Sequence, residues 1–120
     1  MTNAHLNRAL VVGSGSIAKR HITNLRNLFP DLSLVCVSAS GRMLNPAEVG
    51  ASEVVPDLAS AVRQNPDFAV IASPAPYHLI HADELLAANI PVLIEKPLCT
   101  SVRELDATKL SGYTARIGVA

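Results

Sequence analysis

Aromatic residues are scarce. The chain has two Phe, two Tyr and no Trp, which leaves little material for stacking on nucleobases or sugar rings. An excess of one charge sign is missing as well. Ten Lys and Arg balance ten Asp and Glu, so bulk electrostatics gives no reason to expect nucleic acid or an anionic membrane as a partner. The two cysteines, Cys36 and Cys99, are too few for a disulfide-built scaffold and have no Cys-x-x-Cys spacing. Cys36 lies in an apolar run and reads as a small buried hydrophobe. No stretch approaches the run of about 20 apolar residues that a membrane helix needs, and the one after Arg8 is too short for a secretory signal. The expectation is a soluble chain of the reducing cytoplasm.

What the chain does have is aliphatic bulk. Hydrophobic residues make up 49% of its 120 residues and charged ones 17%, which suits one folded domain whose core is Val, Ile, Leu and Ala. That palette belongs to a parallel sheet covered by helices. Arg8–Val12 is branched-rich and stopped by Gly13, so it reads as a buried strand. After Gly13-Ser-Gly-Ser-Ile-Ala18, the apolar positions Ala18, Ile22, Leu25 and Phe29 recur on one helical face that Pro30 ends. Ser33–Val37 closes a strand–turn–helix–strand unit. Further on, 40–50 reads as a loop with one helical turn, 53–55 as a short edge strand, and Asp57 as the cap of a short helix through Gln64. Phe68–Ala72 is a strand, Tyr77–Ala88 a helix with Asn89 as its left-handed cap, and Pro91–Ile94 a fifth strand. Ser101-Val-Arg-Glu104 is a capping-box pattern opening a helix to Gly112, and 116–120 reads as a sixth strand. The prediction is an α/β domain: a doubly wound, mostly parallel sheet of about six strands with helices on both faces. A strand at the last residue predicts that residues 1–120 are the first domain of a longer protein; a natural single domain is the alternative.

Four segments carry chemistry. Gly13, Gly15 and Ala18 fall where a dinucleotide fingerprint needs a tight turn, close backbone approach to a pyrophosphate and close helix–strand packing. Ser14, Ser16 and Ile17 complete that turn, and the helix amides behind it face the phosphates. A mononucleotide phosphate loop is disfavoured, because Ala18-Lys19-Arg20 is not Gly-Lys-Ser/Thr. At the end of the second strand, where an acid would accept from a ribose 2′-hydroxyl, the chain has Ser38-Ala39-Ser40-Gly41-Arg42. A hydroxyl and a guanidinium suit a 2′-phosphate better than a carboxylate does. NADP is therefore predicted over NAD, with Ser40 and Arg42 as its phosphate contacts; a solvated loop arginine is the bland alternative. In Ser73-Pro-Ala-Pro-Tyr-His78, two prolines stiffen the link to the next helix, placing Ser73, Pro74, Tyr77 and His78 by the crevice. His78 and His81, three apart, lack a third ligand, so no metal site is expected. His5 and His21 earn no role from spacing. Finally, Glu95-Lys96-Pro97 ends a buried strand with two charges, which must be paired or used. A partly desolvated lysine there can handle protons; a rim salt bridge is the alternative. Gly13, Ser40, Ser73 and Lys96 all fall just beyond strand carboxyl ends, the edge where open parallel sheets bind ligands.

These motifs resemble the Gfo/Idh/MocA oxidoreductases from about Arg8 to Ala120. The likeness rests on Gly13-Ser-Gly-Ser-Ile-Ala18 with His21 downstream, on Ala72-Ser-Pro-Ala-Pro-Tyr-His78 and, most specifically, on Glu95-Lys96-Pro97. The resemblance implies a Rossmann domain binding NADP or NAD, followed by a larger α/β domain with most of the substrate pocket and often the oligomer interface. It implies hydride transfer between nicotinamide and a hydroxyl-bearing carbon of a sugar-like or cyclitol substrate in a homo-oligomeric protein. Lys96 then orients the reacting hydroxyl and moves its proton, Glu95 contacts the nicotinamide side, and Pro97 shapes the turn. Ala18 for the usual third glycine and the missing acid near Ala39 depart from the family pattern. A non-catalytic dinucleotide sensor or scaffold is the alternative. A methyltransferase-like nucleotide binder is disfavoured, since no acid ends the second strand.

Overall fold

A computed structural model describes residues 6–96 and 117–119. Six strands form one sheet in the order β3-β2-β1-β4-β5-β6, and all five pairings are parallel. The strands are β1 (Arg8–Val12), β2 (Ser33–Val37), β3 (Glu53–Val55), β4 (Phe68–Ile71), β5 (Val92–Ile94) and β6 (Ile117–Val119). The helices are α1 (Ser16–Leu28), α2 (Pro46–Val49), α3 (Leu58–Arg63) and α4 (His78–Ala87), the last preceded by a 3-10 turn over Ala75–Tyr77. The doubly wound α/β architecture is as the alternation of elements predicts. Pro97 and the helix expected from Ser101 lie outside the described residues.

The period of the strands sorts the core into two layers. Leu10 and Val12 of β1 pack with Val35, Val37, Ile71 and the apolar face of α4. Ala9 and Val11 point the other way, to Ala18 and Ile22 of α1 and to Leu34 and Cys36. Both faces are thus buried, which is why these strands read as unbroken apolar runs. The order reverses between β1 and β4: the chain winds outward to β3, then crosses back. That reversal opens a crevice at the strand carboxyl ends.

Several element boundaries differ from the sequence reading by a single residue, and two of them have a physical cause on view. Phe29 was expected on the buried face of the first helix, but α1 stops at Leu28 and Phe29 is 39% exposed. Pro30 disfavours helical backbone in the residue before it, and Phe29 leaves the helix at φ −133°. Tyr77 was expected to open a helix; it closes the 3-10 turn instead, its amide donating to the Pro74 carbonyl three residues back (2.9 Å). Asn89 does take the left-handed conformation after α4, at φ 66°.

Candidate functional site

The crevice at the reversal holds a cleft of about 500 Å³ between the turn after β1, the end of β2 and the loop after β4. Gly13, buried next to the lining residues, joins two of its walls. Its φ is +122°, and a Cβ there would lie 2.6 Å from the Ala72 carbonyl oxygen, so the tips of β1 and β4 touch backbone to backbone. Its amide donates to the Val37 carbonyl (2.8 Å), and the buried Cys36 thiol donates to its carbonyl (3.2 Å). Burial pushes the Cys36 thiol up to about 11. Gly15 is the opposite case. Its φ is ordinary and a Cβ would meet nothing within 4 Å, so the space before it belongs to the cleft.

Behind that space stands the N-terminus of α1. No side chain caps it, and its first turn holds no acid. Lys19 is the first of its amides with a described backbone acceptor, the Gly15 carbonyl at 3.0 Å. Ser14 and Ser16 line the cleft and have no side-chain partner among the described residues, while Ala18 is fully buried under the turn. Uncommitted helix amides, a positive dipole end and empty volume suit a phosphate diester.

The β2 end supplies the opposite wall. Ser38, Ala39 and Ser40 line the cleft, and the Ser38 and Ser40 hydroxyls are 3.1 Å apart. Behind this turn lies a second cleft of about 220 Å³, bordered also by Asp57 and His81. Asp57 caps α3 by accepting from the Ser60 amide (2.7 Å), and hydrogen bonding from Ser60 holds its carboxyl below the usual range. Arg42 is exposed and lines neither cleft.

The loop after β4 brings Ser73, Pro74 and Tyr77 to the cleft. His78 does not reach it: buried, it donates from Nε2 to the Ser73 carbonyl and shapes the loop from behind. Ser73 Oγ meets His81 Nδ1 at 3.0 Å, and the Tyr77 ring stacks on His81 with centroids 5.7 Å apart. Burial, helped by the nearby His78, lowers the His81 pKa, favouring neutral imidazole. Among the described residues, no group of three potential metal ligands converges, and no helix is long and apolar enough to cross a membrane.

Glu95 and Lys96 lie beyond the carboxyl end of β5, on the same rim, and line neither cleft. Lys96 is exposed, so the desolvation invoked from sequence is not supplied by the described residues. Nor does Glu95 pair with it. The Glu95 carboxylate accepts from His21 Nε2 at 3.0 Å. Sequence reasoning missed Asp57, His81 and this His21 contact as parts of the rim. Asp57 carried a capping signal; His81 showed only its spacing to His78 and His21 only its place after the glycine turn, because their partners are set by the fold.

Comparison with known proteins agrees with this geometry. Residues 7–111 match the Gfo/Idh/MocA family, described as an oxidoreductase family with an NAD-binding Rossmann fold. An inositol 2-dehydrogenase of Rubrobacter xylanophilus is 37% identical over 94 residues, covering 76% of this chain and 27% of the relative. In fold, the chain is similar to scyllo-inositol dehydrogenase from Lactobacillus casei, solved with NAD(H) and scyllo-inositol (TM-score 0.78, 23% identity, 97% of this chain and 36% of that one). It is also similar to the WlbA dehydrogenase from Bordetella pertussis, solved with NADH and UDP-GlcNAcA (TM-score 0.81, 24% identity, 100% and 36%). The chain spans about a third or less of the length of these proteins.

Proposed function

The chain belongs to the Gfo/Idh/MocA oxidoreductase family, and from that premise we propose that it is the coenzyme-binding domain of an NADP-dependent dehydrogenase acting on a sugar-like or cyclitol alcohol or its ketone. The observation that carries the reading is the uncapped N-terminus of α1, facing empty volume in front of Gly15 at the point where strand order reverses. The amides of residues 16–18 and the Ser14 and Ser16 hydroxyls hold the pyrophosphate. Ser73, Pro74 and the Tyr77 ring border the coenzyme from the β4 side. Ser40 meets the 2′-phosphate and Arg42 swings onto it from the exposed loop, a role supported by the absence of an acid at the end of β2. Bound there, the coenzyme supplies or accepts the hydride. Lys96 Nζ holds the hydroxyl oxygen of the substrate and takes or returns its proton, while a second domain of the longer protein closes the substrate pocket. The names of the relatives, inositol dehydrogenases among them, support a polyol substrate. The family resemblance extends the reading to a homo-oligomeric enzyme.

Calorimetric titration with NADPH and NADH tests it. NADPH should bind at least about tenfold more tightly, and Arg42→Ala should remove most of that advantage while leaving NADH affinity unchanged. Tighter NADH binding, or an Arg42→Ala variant with unaltered NADPH affinity, rejects the phosphate assignment. Absence of binding by either coenzyme rejects the whole reading. Lys96→Ala in the full-length protein should abolish turnover and spare coenzyme binding.

A further inference from the structure

Glu95 is held twice, and one anchor comes from the helix whose N-terminus faces the cleft. Its amide donates to the Ile71 carbonyl (3.0 Å), continuing the sheet ladder one residue past β5. Its carboxylate accepts from His21 on the second turn of α1, 74 residues away in sequence. The two side chains are 19% and 24% exposed, so solvent screens the contact only in part. It is the sole pairing of an acidic with a basic or imidazole group within ion-pair distance among the described residues. The next residue is Lys96, exposed and without a side-chain partner among the described residues.

A strand end anchored by one backbone bond can still pivot about its last dihedrals. A second anchor on the side chain removes that freedom and sets the direction in which the chain, and with it Lys96, leaves the sheet. Because the anchor stands on α1, the phosphate seat and the β5 tip become parts of one rigid body. We propose that His21 is a positioning residue: through Glu95 it fixes Lys96 relative to the helix N-terminus that seats the coenzyme. The role in catalysis rests on the hydride-transfer reading above; the mechanical link does not. The chemistry required of His21 is an N–H donor at the reach of Nε2, not proton exchange, so glutamine should replace it and alanine should not.

Two measurements on the full-length protein test this. In His21→Ala, hydrogen exchange at the Glu95 amide should accelerate about tenfold, with β1 amides and overall stability unchanged, and His21→Gln should restore protection. In steady-state kinetics, His21→Ala should lower kcat about tenfold to a hundredfold with coenzyme KM within about threefold, and His21→Gln should recover most of kcat. Unaltered exchange at Glu95, or acceleration spread over the whole sheet, overturns the link. Normal kcat in His21→Ala, or no rescue by glutamine, overturns the positioning role. If the wild-type protein binds NADPH but oxidises no polyol, the hydride-transfer reading fails, and the positioning role with it; the exchange result still decides the link on its own.

Discussion

The two ends of α1, one at each rim of the sheet, use their hydrogen-bonding groups in opposite ways. At the amino-end rim they close on the protein itself. The Asp67 carboxylate accepts from the amides of Asn7 (2.7 Å) and Arg8 (2.9 Å), and the Arg8 guanidinium donates to the Gln64 carbonyl. Arg26, in the last turn of α1, donates to the Leu32 carbonyl (2.8 Å) and to Ser52 Oγ (3.2 Å), which accepts from the Leu34 amide. At the carboxyl-end rim α1 begins without a cap, and the serines of the glycine turn have no side-chain partner among the described residues. The same helix is therefore tied down at its last turn and left open at its first. The lesson is that ligand capacity is confined to the glycine turn and the start of α1, while the groups around them are committed to cohesion, and substitutions at the two kinds of position should separate them.

The largest effect on stability should come from Gly13, where the open rim is held backbone to backbone. Gly13→Ala forces a Cβ to within 2.6 Å of the Ala72 carbonyl oxygen at φ +122°. A loss of about 2–4 kcal/mol is expected in urea denaturation, enough to pull β1 from β4. A smaller loss would mean that the strand tips yield more easily than their contact implies. Next comes the closed rim: Asp67→Asn should cost about 1 kcal/mol at neutral pH, a value already reduced for solvent exposure. The amide of Arg8, then that of Asn7, holds the Asp67 carboxyl below its usual range. A carboxyl lowered in the folded state contributes stability that is full above its unfolded pKa and is lost as pH falls through the folded value. The gap between wild type and Asp67→Asn should accordingly narrow in acid, and a gap independent of pH would contradict the assignment. The smallest stability change belongs to Gly15→Ala, below about 0.5 kcal/mol, since the new methyl meets no protein atom. Its NADPH affinity should nevertheless fall at least about tenfold, because the methyl occupies space needed by the pyrophosphate. Unfolding by Gly15→Ala, or undiminished binding, would erase the distinction between the two kinds of position.

Local features of this fold were legible in the sequence and distant pairings were not. The strands announce themselves because both faces are buried, and the glycine turn because Gly13 needs a backbone form that few other residues adopt. The Asp57 cap and the Asn89 turn are equally short-range. The end of α1 was misread by one residue, since apolar spacing continues into Phe29 while Pro30 already governs its backbone. The β5 tip shows the deeper limit. Glu95 and Lys96 stand out as charges that must be paired or used, yet adjacency suggested each other as partners. The actual partner of Glu95 comes from another layer of the fold, and nothing in the spacing of His21 reveals it. His78 likewise looked like a cleft residue by position, although its ring is turned beneath the loop to hold the Ser73 carbonyl.

The thiol beneath the glycine turn has a use of its own. Enclosed on all sides and held far from its thiolate form at neutral pH, Cys36 is hidden from alkylating reagents twice over, by access and by protonation. Modification can occur only in those molecules whose sheet has momentarily parted under the turn. Cys36 is therefore a natural stopwatch for breathing beside the crevice, and a ligand that clamps the turn would slow its ticking.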